Sequence, residues 1–326
     1  MGYLAGETIL DDEYNTFVNS SSSPYGYNHF AGTGALGYGL GQTEIPTVTG
    51  GHSTITAAQW NTLLTAIDNI ANHTNDSMTT RTAVSAGDTI AIKAAIAADL
   101  ATLAASVAAG CTSATAVAEG SELQSSTSST RWVGSHIVEH SITFSSNANL
   151  RHFFNAGGTM RMKFTRNSGG YANGSSTSDK DDSVDELITA IGNFDLKAQV
   201  STRSGSGETV TTNGLGNGVM DLGTGYTVLL KLTQASGTYT SMYVDIQAKL
   251  NAAIASATVV TMKYSLVDAD SGDEAYTSGN LSSKDVNDNF IGTTDFATHI
   301  VAPTTAQGLA SVATIASSAV VSNNTT

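Results

Sequence analysis

His136-Ile137-Val138-Glu139-His140-Ser141-Ile142-Thr143-Phe144 is the stretch on which the fold turns. Two readings of it compete. As H-x-x-E-H it matches the inverted zinc-protease pattern, in which two histidines one helical turn apart grip a single metal. As an alternation of Val138, His140, Ile142 and Phe144 with other residues it is a half-buried strand. The surroundings, Val133, Ile137, Val138, Ile142, Thr143 and Phe144, favour the strand. In a strand, residues four apart are separated by roughly 13 Å and cannot share one zinc. The spacing therefore predicts a strand and no metalloprotease centre.

The same period of two recurs in Met160, Met162, Phe164, in Met242, Val244, Ile246 and in Val260, Met262, Tyr264, Leu266, with turns rich in Gly, Asn and Ser between the runs. One helix over about 184–192 interrupts them. Ser183 and Glu186 have capping-box spacing there, and Leu187, Ile188 and Ile191 form the buried face. Residues 131–302 thus read as an antiparallel, sandwich-like β-domain carrying one helix. A Ser/Thr tract, Ser125 to Thr130, introduces it. The tail, 303–326, has no charged residue and is expected to add a strand or short helix to something.

The first 130 residues read differently. Thr8-Ile9, four residues, then Tyr14-Asn15-Thr16-Phe17-Val18 is echoed by Thr54-Ile55, four residues, then Trp60-Asn61-Thr62-Leu63-Leu64. A third start, Gly87-Asp88-Thr89-Ile90, opens an Ala-rich helix but lacks the aromatic and the Asn. These are related helix-entry modules. In the second, Thr56 and Gln59 have capping-box spacing, and Trp60, Leu63, Leu64, Ile67 and Ile70 make an i, i+3, i+4, i+7 stripe, predicting a helix over 56–73. The segment 90–109 carries only Lys93 and Asp99 as charges, so its helix calls for burial on several sides. Residues 51–130 form a helical docking and oligomerisation region on this reading. Residues 1–50, with Tyr25, Tyr27, Phe30 and Tyr38 among many glycines, form an extended arm whose aromatics bury on a neighbouring subunit. Those four, with Trp60 and Leu64, are the candidate interface residues.

Composition narrows the chemistry. Charged residues are 13% of 326, against a usual share of about 25%. With 14 basic and 28 acidic residues the net charge is −14, which removes the driving force for nucleic acid and for anionic membrane surfaces. The single Cys111 excludes an intrachain disulfide and a multi-thiolate zinc site. The amino terminus lacks a basic segment followed by an apolar core, so the chain is expected to be made in a cytoplasm. Asp268, Asp270 and Asp273 flank Gly272 as a weak calcium candidate, without EF-hand spacing; an acidic hairpin is the simpler reading. Gly205-Ser206-Gly207 and Gly214-Leu215-Gly216-Asn217-Gly218 precede no helix and no Lys-Ser or Lys-Thr, so they read as turns. No G-x-S-x-G elbow occurs. Asp181, Asp182, Asp185 and Glu186, the carboxylates a depolymerase would need, read instead as the acidic start of a helix. No enzyme activity and no cofactor are expected.

At Arg151-His152-Phe153-Phe154-Asn155-Ala156-Gly157-Gly158-Thr159-Met160-Arg161 the chain resembles a domain of virion structural and tail-fibre-like proteins from contractile-tailed phages of cyanobacteria. Ile191-Gly192-Asn193-Phe194, the 226–233 strand, Met242-Tyr243, Leu266-Val267-Asp268 and Ile55-Thr56-Ala57-Ala58-Gln59-Trp60-Asn61 are similar in order. The resemblance covers about 54–72 and 131–285. It implies a structural component of the tail, baseplate, fibre or neck, made in the host cytoplasm. Its partners would be its own copies, as a trimer, and other virion proteins. Locally, the phrase Phe-Phe-Asn-Ala-Gly-Gly reads as a tight hairpin with its aromatics in the core. A rival reading, a receptor- or glycan-binding module at a fibre tip, needs exposed aromatics, for which Tyr171, Tyr239 and Tyr243 are candidates; a host surface glycan would then be a partner.

Overall fold

The structure is a computed structural model that describes residues 11–23, 25–31, 39–49, 54–88, 93–108, 119–120, 122–129, 131–132, 134–167, 179–236, 239–269, 290–303 and 315–326. The chain divides into two compact units. A helical unit takes Met1–Ala118, Ala148–Gly158 and Ala302–Thr314, and a β unit takes Glu119–Asn147, Thr159–Val301 and Ile315–Thr326.

In the β unit every strand pairing is antiparallel. One sheet has five strands in the order β1 (Glu122–Thr127), β12 (Thr293–Val301), β4 (Thr159–Asn167), β5 (Phe194–Leu196) and β6 (Ser201–Arg203). The other has six, in the order β13 (Ile315–Thr325), β3 (Ser135–Phe144), β10 (Val259–Val267), β9 (Tyr243–Leu250), β8 (Thr227–Thr233) and β7 (Thr209–Asn213). A short ladder joins β2 (Arg131–Trp132) to β11 (Phe290–Ile291). The opening stretch is β3. Its even-numbered residues, His136 to Phe144, are buried and its odd-numbered ones half-exposed, as a period of two requires. The two sheets meet through aromatics: Tyr264 of β10 stacks on Phe296 of β12 at 5.4 Å, and Phe164 of β4 meets both edge-on at 5.7 and 5.2 Å. The fold is mainly β, sandwich-like, with its helices mostly toward the amino terminus.

Two local expectations about this part of the chain change, and one about the tail is met. Helix α6 spans Asp179–Ile191, so Ser183 lies more than a turn inside it and does not cap it. Its first turn is held by ion pairs of Lys180 and Asp181 that no local pattern reveals. The Ser/Thr tract contributes Ser125–Thr127 to β1. The uncharged tail supplies a strand, β13, to this chain's own sheet beside β3.

The helical unit contains α1 (Asp11–Asn19), α2 (Tyr27–Phe30), α3 (Ala57–Thr74), α4 (Lys93–Ala108) and most of α5 (Asn147–Asn155). Helix α3 opens on the expected capping box of Thr56 and Gln59 and closes on Asn75, whose left-handed φ of 63° ends it. Trp60, Leu63, Leu64, Ile67 and Ile70 face the core, as the stripe predicts. Helix α4 buries one face only, Ile96, Asp99, Leu100, Leu103 and Val107. Ala94, Ala98, Ala101 and Ala105 stay exposed, so burial on several sides is not observed.

The described residues within 11–49 do not form a free arm. Tyr14, Val18, Tyr27, Phe30, Leu40 and Ile45 share one core with Trp60, Leu64 and the buried face of α4. Of the aromatics assigned to a neighbour, Tyr27 and Phe30 are repaid by burial within their own chain and Tyr25 packs against that core. The Phe-Phe-Asn-Ala-Gly-Gly phrase is not a hairpin either. Phe153, Phe154 and Asn155 are the last turn of α5. Gly157 sits at φ 91° and donates to the Phe154 carbonyl, and Gly158 donates to that of Phe153. This is a Schellman helix end. The glycines thus serve the positive-φ need expected of them, at a helix terminus.

Candidate functional site

The histidines of β3 are the first candidates. His136 and His140 are fully buried on the same face, and Glu139 lies on the other. His136 Nε2 bonds Asn323 Oδ1 of β13 at 2.8 Å. His140 Nε2 bonds Ser126 Oγ of β1 at 2.9 Å, and its Nδ1 bonds Thr298 Oγ1 of β12, also at 2.9 Å. Thr298 Oγ1 in turn bonds the Tyr264 hydroxyl at 2.6 Å. A Ser–His contact is the start of a nucleophile–base pair, but here the second ring nitrogen meets a hydroxyl where a triad has a carboxylate. Burial, partly offset by Glu122, lowers the His140 pKa to about 4, so the ring is neutral at pH 7. The chain Ser126–His140–Thr298–Tyr264 ties the two sheets together inside the sandwich.

The acidic candidates fall into ion pairs. Asp268, the described member of the calcium set, pairs with Lys180, and both side chains are fully buried. Lys180 Nζ also lies 5.2 Å from the Tyr239 ring centre and 5.4 Å from that of Phe290. The Asp268 carboxylate is thus committed to Lys180; Asp270 and Asp273 lie outside the described residues. Arg166 pairs with Asp181, also buried. Asp182, Asp185, Glu186 and Glu208 line an open groove; there Asp185 lies 3.8 Å from Arg166, Glu186 accepts from Gln234 and Glu208 from the Ala235 N–H, and burial is the main cause raising the Asp185 pKa. Among the described residues no three His, Cys, Asp or Glu side chains gather as a metal site.

Of the interface candidates, Tyr27, Phe30, Trp60 and Leu64 are buried inside the helical unit and Tyr25 packs against its core. Tyr38 lies outside the described residues. The glycan candidates fare similarly. Tyr239 is buried, Tyr243 carries Lys231 Nζ over its ring at 3.6 Å, and Tyr171 lies outside the described residues.

The repeat phrase has a function that its spacing does not disclose. Asn15 Nδ2 donates to the Val48 carbonyl and Val48 N–H donates to Asn15 Oδ1, each at 2.8 Å. Asn61 does the same with Val84, at 3.0 and 2.9 Å. Asn28, in the shorter phrase Tyr27-Asn28, does it with Ile45, at 2.8 and 2.9 Å. A carboxamide presents one donor and one acceptor side by side, as a peptide group does, so each Asn pairs with an extended segment in place of a strand. The threonines that follow also match: Thr16 and Thr62 each bond the carbonyl four residues back at 2.9 Å. Tyr14 and Trp60, the repeat aromatics, meet edge to face at 5.8 Å. The aromatic–Asn pairing was visible twice in the sequence; the role of the Asn, and its third use at Asn28, was not.

Beside two of these clamps runs a groove of about 520 Å³, lined by Tyr27, Thr43, Glu44, Pro46, Asn61 and Asn69. It offers hydroxyls and amides with one carboxylate, a surface for hydrogen bonding. No helix among the described residues is long and apolar enough to cross a membrane. Compared with protein-family models, with curated proteins and with solved structures, the chain matches none.

Proposed function

We propose that this chain is a structural component of a tailed-phage virion, in the tail, baseplate, fibre or neck, acting by self-association and by docking to neighbouring virion proteins. The observation that carries the reading is the resemblance of residues 151–161, with the similar segments that follow in order. The fold supports it through the chemistry of its polar groups. The buried histidines of β3, Lys180, Asp268, Arg166 and Asp181 are all committed to bonds that hold the sandwich together. Such a body serves as a rigid module, and weak contacts repeated over many copies give the assembly its strength. A homotrimer is the proposed unit.

Gold-labelled antibody against the chain, applied to purified particles from a culture infected by the phage that encodes it, tests the location. Label at one tail or neck position, and peptides of the chain in the particle's mass spectrum, are the expected result. Particles free of both would overturn the proposal.

A further inference from the structure

The groove beside the clamps contains a side chain that the fold leaves unpaired. Gln42 lines it yet is only 2% exposed, and neither its Oε1 nor its Nε2 has a hydrogen-bond partner among the described residues. A buried carboxamide unpaired at both ends is costly, so a group from outside the described fold is needed to complete it. On α3, Thr65 and Asn69 line the same groove, and their side chains likewise make no hydrogen bond among the described residues. The main chain beside Gln42 is only half used. Ile45 is extended, since the one carboxamide of Asn28 meets both its N–H and its C=O. Successive residues of an extended chain turn these groups to opposite sides, so Glu44 presents its own away from Asn28. Neither the N–H nor the C=O of Glu44 makes a hydrogen bond among the described residues.

We propose that this groove binds an extended peptide segment of another protein, which lies along Glu44, pairs one of its peptide groups with the Gln42 carboxamide and brings a lysine or arginine to the Glu44 carboxylate. The main-chain character of the ligand follows from the helical unit itself. Asn15, Asn28 and Asn61 each hold one extended residue by donor and acceptor together, and Gln42 carries the same donor and acceptor without a residue between them. An unpaired main-chain edge takes an added strand through its N–H and C=O groups, with side-chain contacts setting the specificity. The basic residue follows from charge: Glu44 is the one carboxylate of the lining, it is exposed, and the chain carries −14. A sugar fits less well, because the one aromatic of the lining, Tyr27, is buried with its hydroxyl donating to the Thr43 carbonyl and offers no ring face for stacking. The inference gives the partner chemistry for the docking proposed above and rests on that reading for its biological setting.

The test selects a randomised decapeptide library, displayed on yeast, against the full chain, and then measures the enriched peptides in solution by calorimetry. Enriched peptides should share a lysine or arginine among strand-favouring residues. Methylating the main-chain nitrogens of the tightest peptide should weaken it about tenfold or more, since that removes donors and leaves every side chain in place. Gln42→Leu, which keeps the bulk and removes the amide, should weaken binding by a similar factor. Thr65→Arg places a long cation in the groove from an exposed position, so it should fold as the parent does and abolish binding; it carries the test if Gln42→Leu fails to fold. Glu44→Gln should remove the preference for a basic residue. A selection that enriches no peptide would leave only a buried water to complete Gln42 and would overturn the proposal, as would binding that survives both Gln42→Leu and Thr65→Arg, or competition by maltohexaose in place of peptide. A chain that binds such peptides but is missing from particles would sink the virion reading alone, and a chain found in particles that binds none would sink this site alone.

Discussion

The two units solve the same problem, the pairing of buried main-chain groups, in opposite ways. In the β unit, backbone pairs mainly with backbone along ladders, some of them bulged, and buried side chains such as His140 and Lys180 bridge between elements. In the helical unit, extended segments pair with asparagine side chains projected from helices, and Arg81 is clipped to Asp99 of α4. A ladder spreads its strength over many equivalent bonds, whereas a clamp concentrates it in one residue. Substitutions should therefore act through buried charges and pH in the β unit and through single amides in the helical unit.

The largest effect belongs to Lys180 and Asp268. Removing one partner leaves the other charge buried and unpaired, which costs about 3–5 kcal/mol. Lys180→Met should accordingly unfold the β unit at much lower urea. Replacing both, Lys180→Met with Asp268→Leu, should recover most of the loss, because the pair's own net contribution is small once desolvation is counted. Urea melts of the two variants check this. If the double variant were as unstable as the single one, the pair would have a role beyond charge balance.

Acid comes next. The His140 pKa is lowered by burial to about 4 from the ordinary 6.5. Between those values the unfolded chain takes up a proton that the folded chain refuses. Stability is thus intact above pH 6.5 and falls as pH drops toward 4, by up to about 3 kcal/mol, with no further change from this group below. Burial lowers His136 as well, adding to the slope. In the helical unit burial also lowers His73 and His152, so acid alone does not separate the units. His140→Gln does: it should lower stability at pH 7 yet flatten the acid slope of β-unit melting, followed by near-ultraviolet circular dichroism. An unchanged slope would mean that His140 is not the group taking up the proton.

What could be read in advance follows from the same contrast. β3, β4, β9 and β10 were legible because alternation is local and each run is long enough to show its period. The capping box of α3 was legible for the same reason. The edge β7 was not, because a strand that buries nothing carries no alternation, and the tail could be read only as a strand or a short helix for the same reason. The hairpin expected at Phe153–Gly158 failed because two glycines after paired aromatics satisfy a hairpin and a Schellman helix end equally, and the choice depends on whether residues 147–155 find a helical environment. The aromatics of 25–30 were rightly marked for burial but given to a neighbour, since composition does not say which chain provides the core. Lys180 with Asp268 was missed because its partners are far apart in sequence and each looks like a surface residue.

The smallest expected effect tests the clamps, and it decides whether the repeat is a mechanical unit or a coincidence of spelling. Each Asn makes two bonds to one distant residue, so Asn15→Ala and Asn61→Ala should each cost about 1–2 kcal/mol, at roughly 1 kcal/mol net per bond with part of the loss returned by water. Asn→Asp at either site keeps the acceptor and loses the donor, and should fall between parent and Ala. Global stability alone cannot separate a lost clamp from a general loosening; amide hydrogen exchange can. In Asn61→Ala the Val84 N–H loses its acceptor and should exchange faster, while Val48 N–H, held by Asn15, keeps its protection. Asn15→Ala should show the reverse. Equal deprotection of both amides by either substitution would mean that the helical unit opens as one body and that the repeated asparagines do not act as separate clamps.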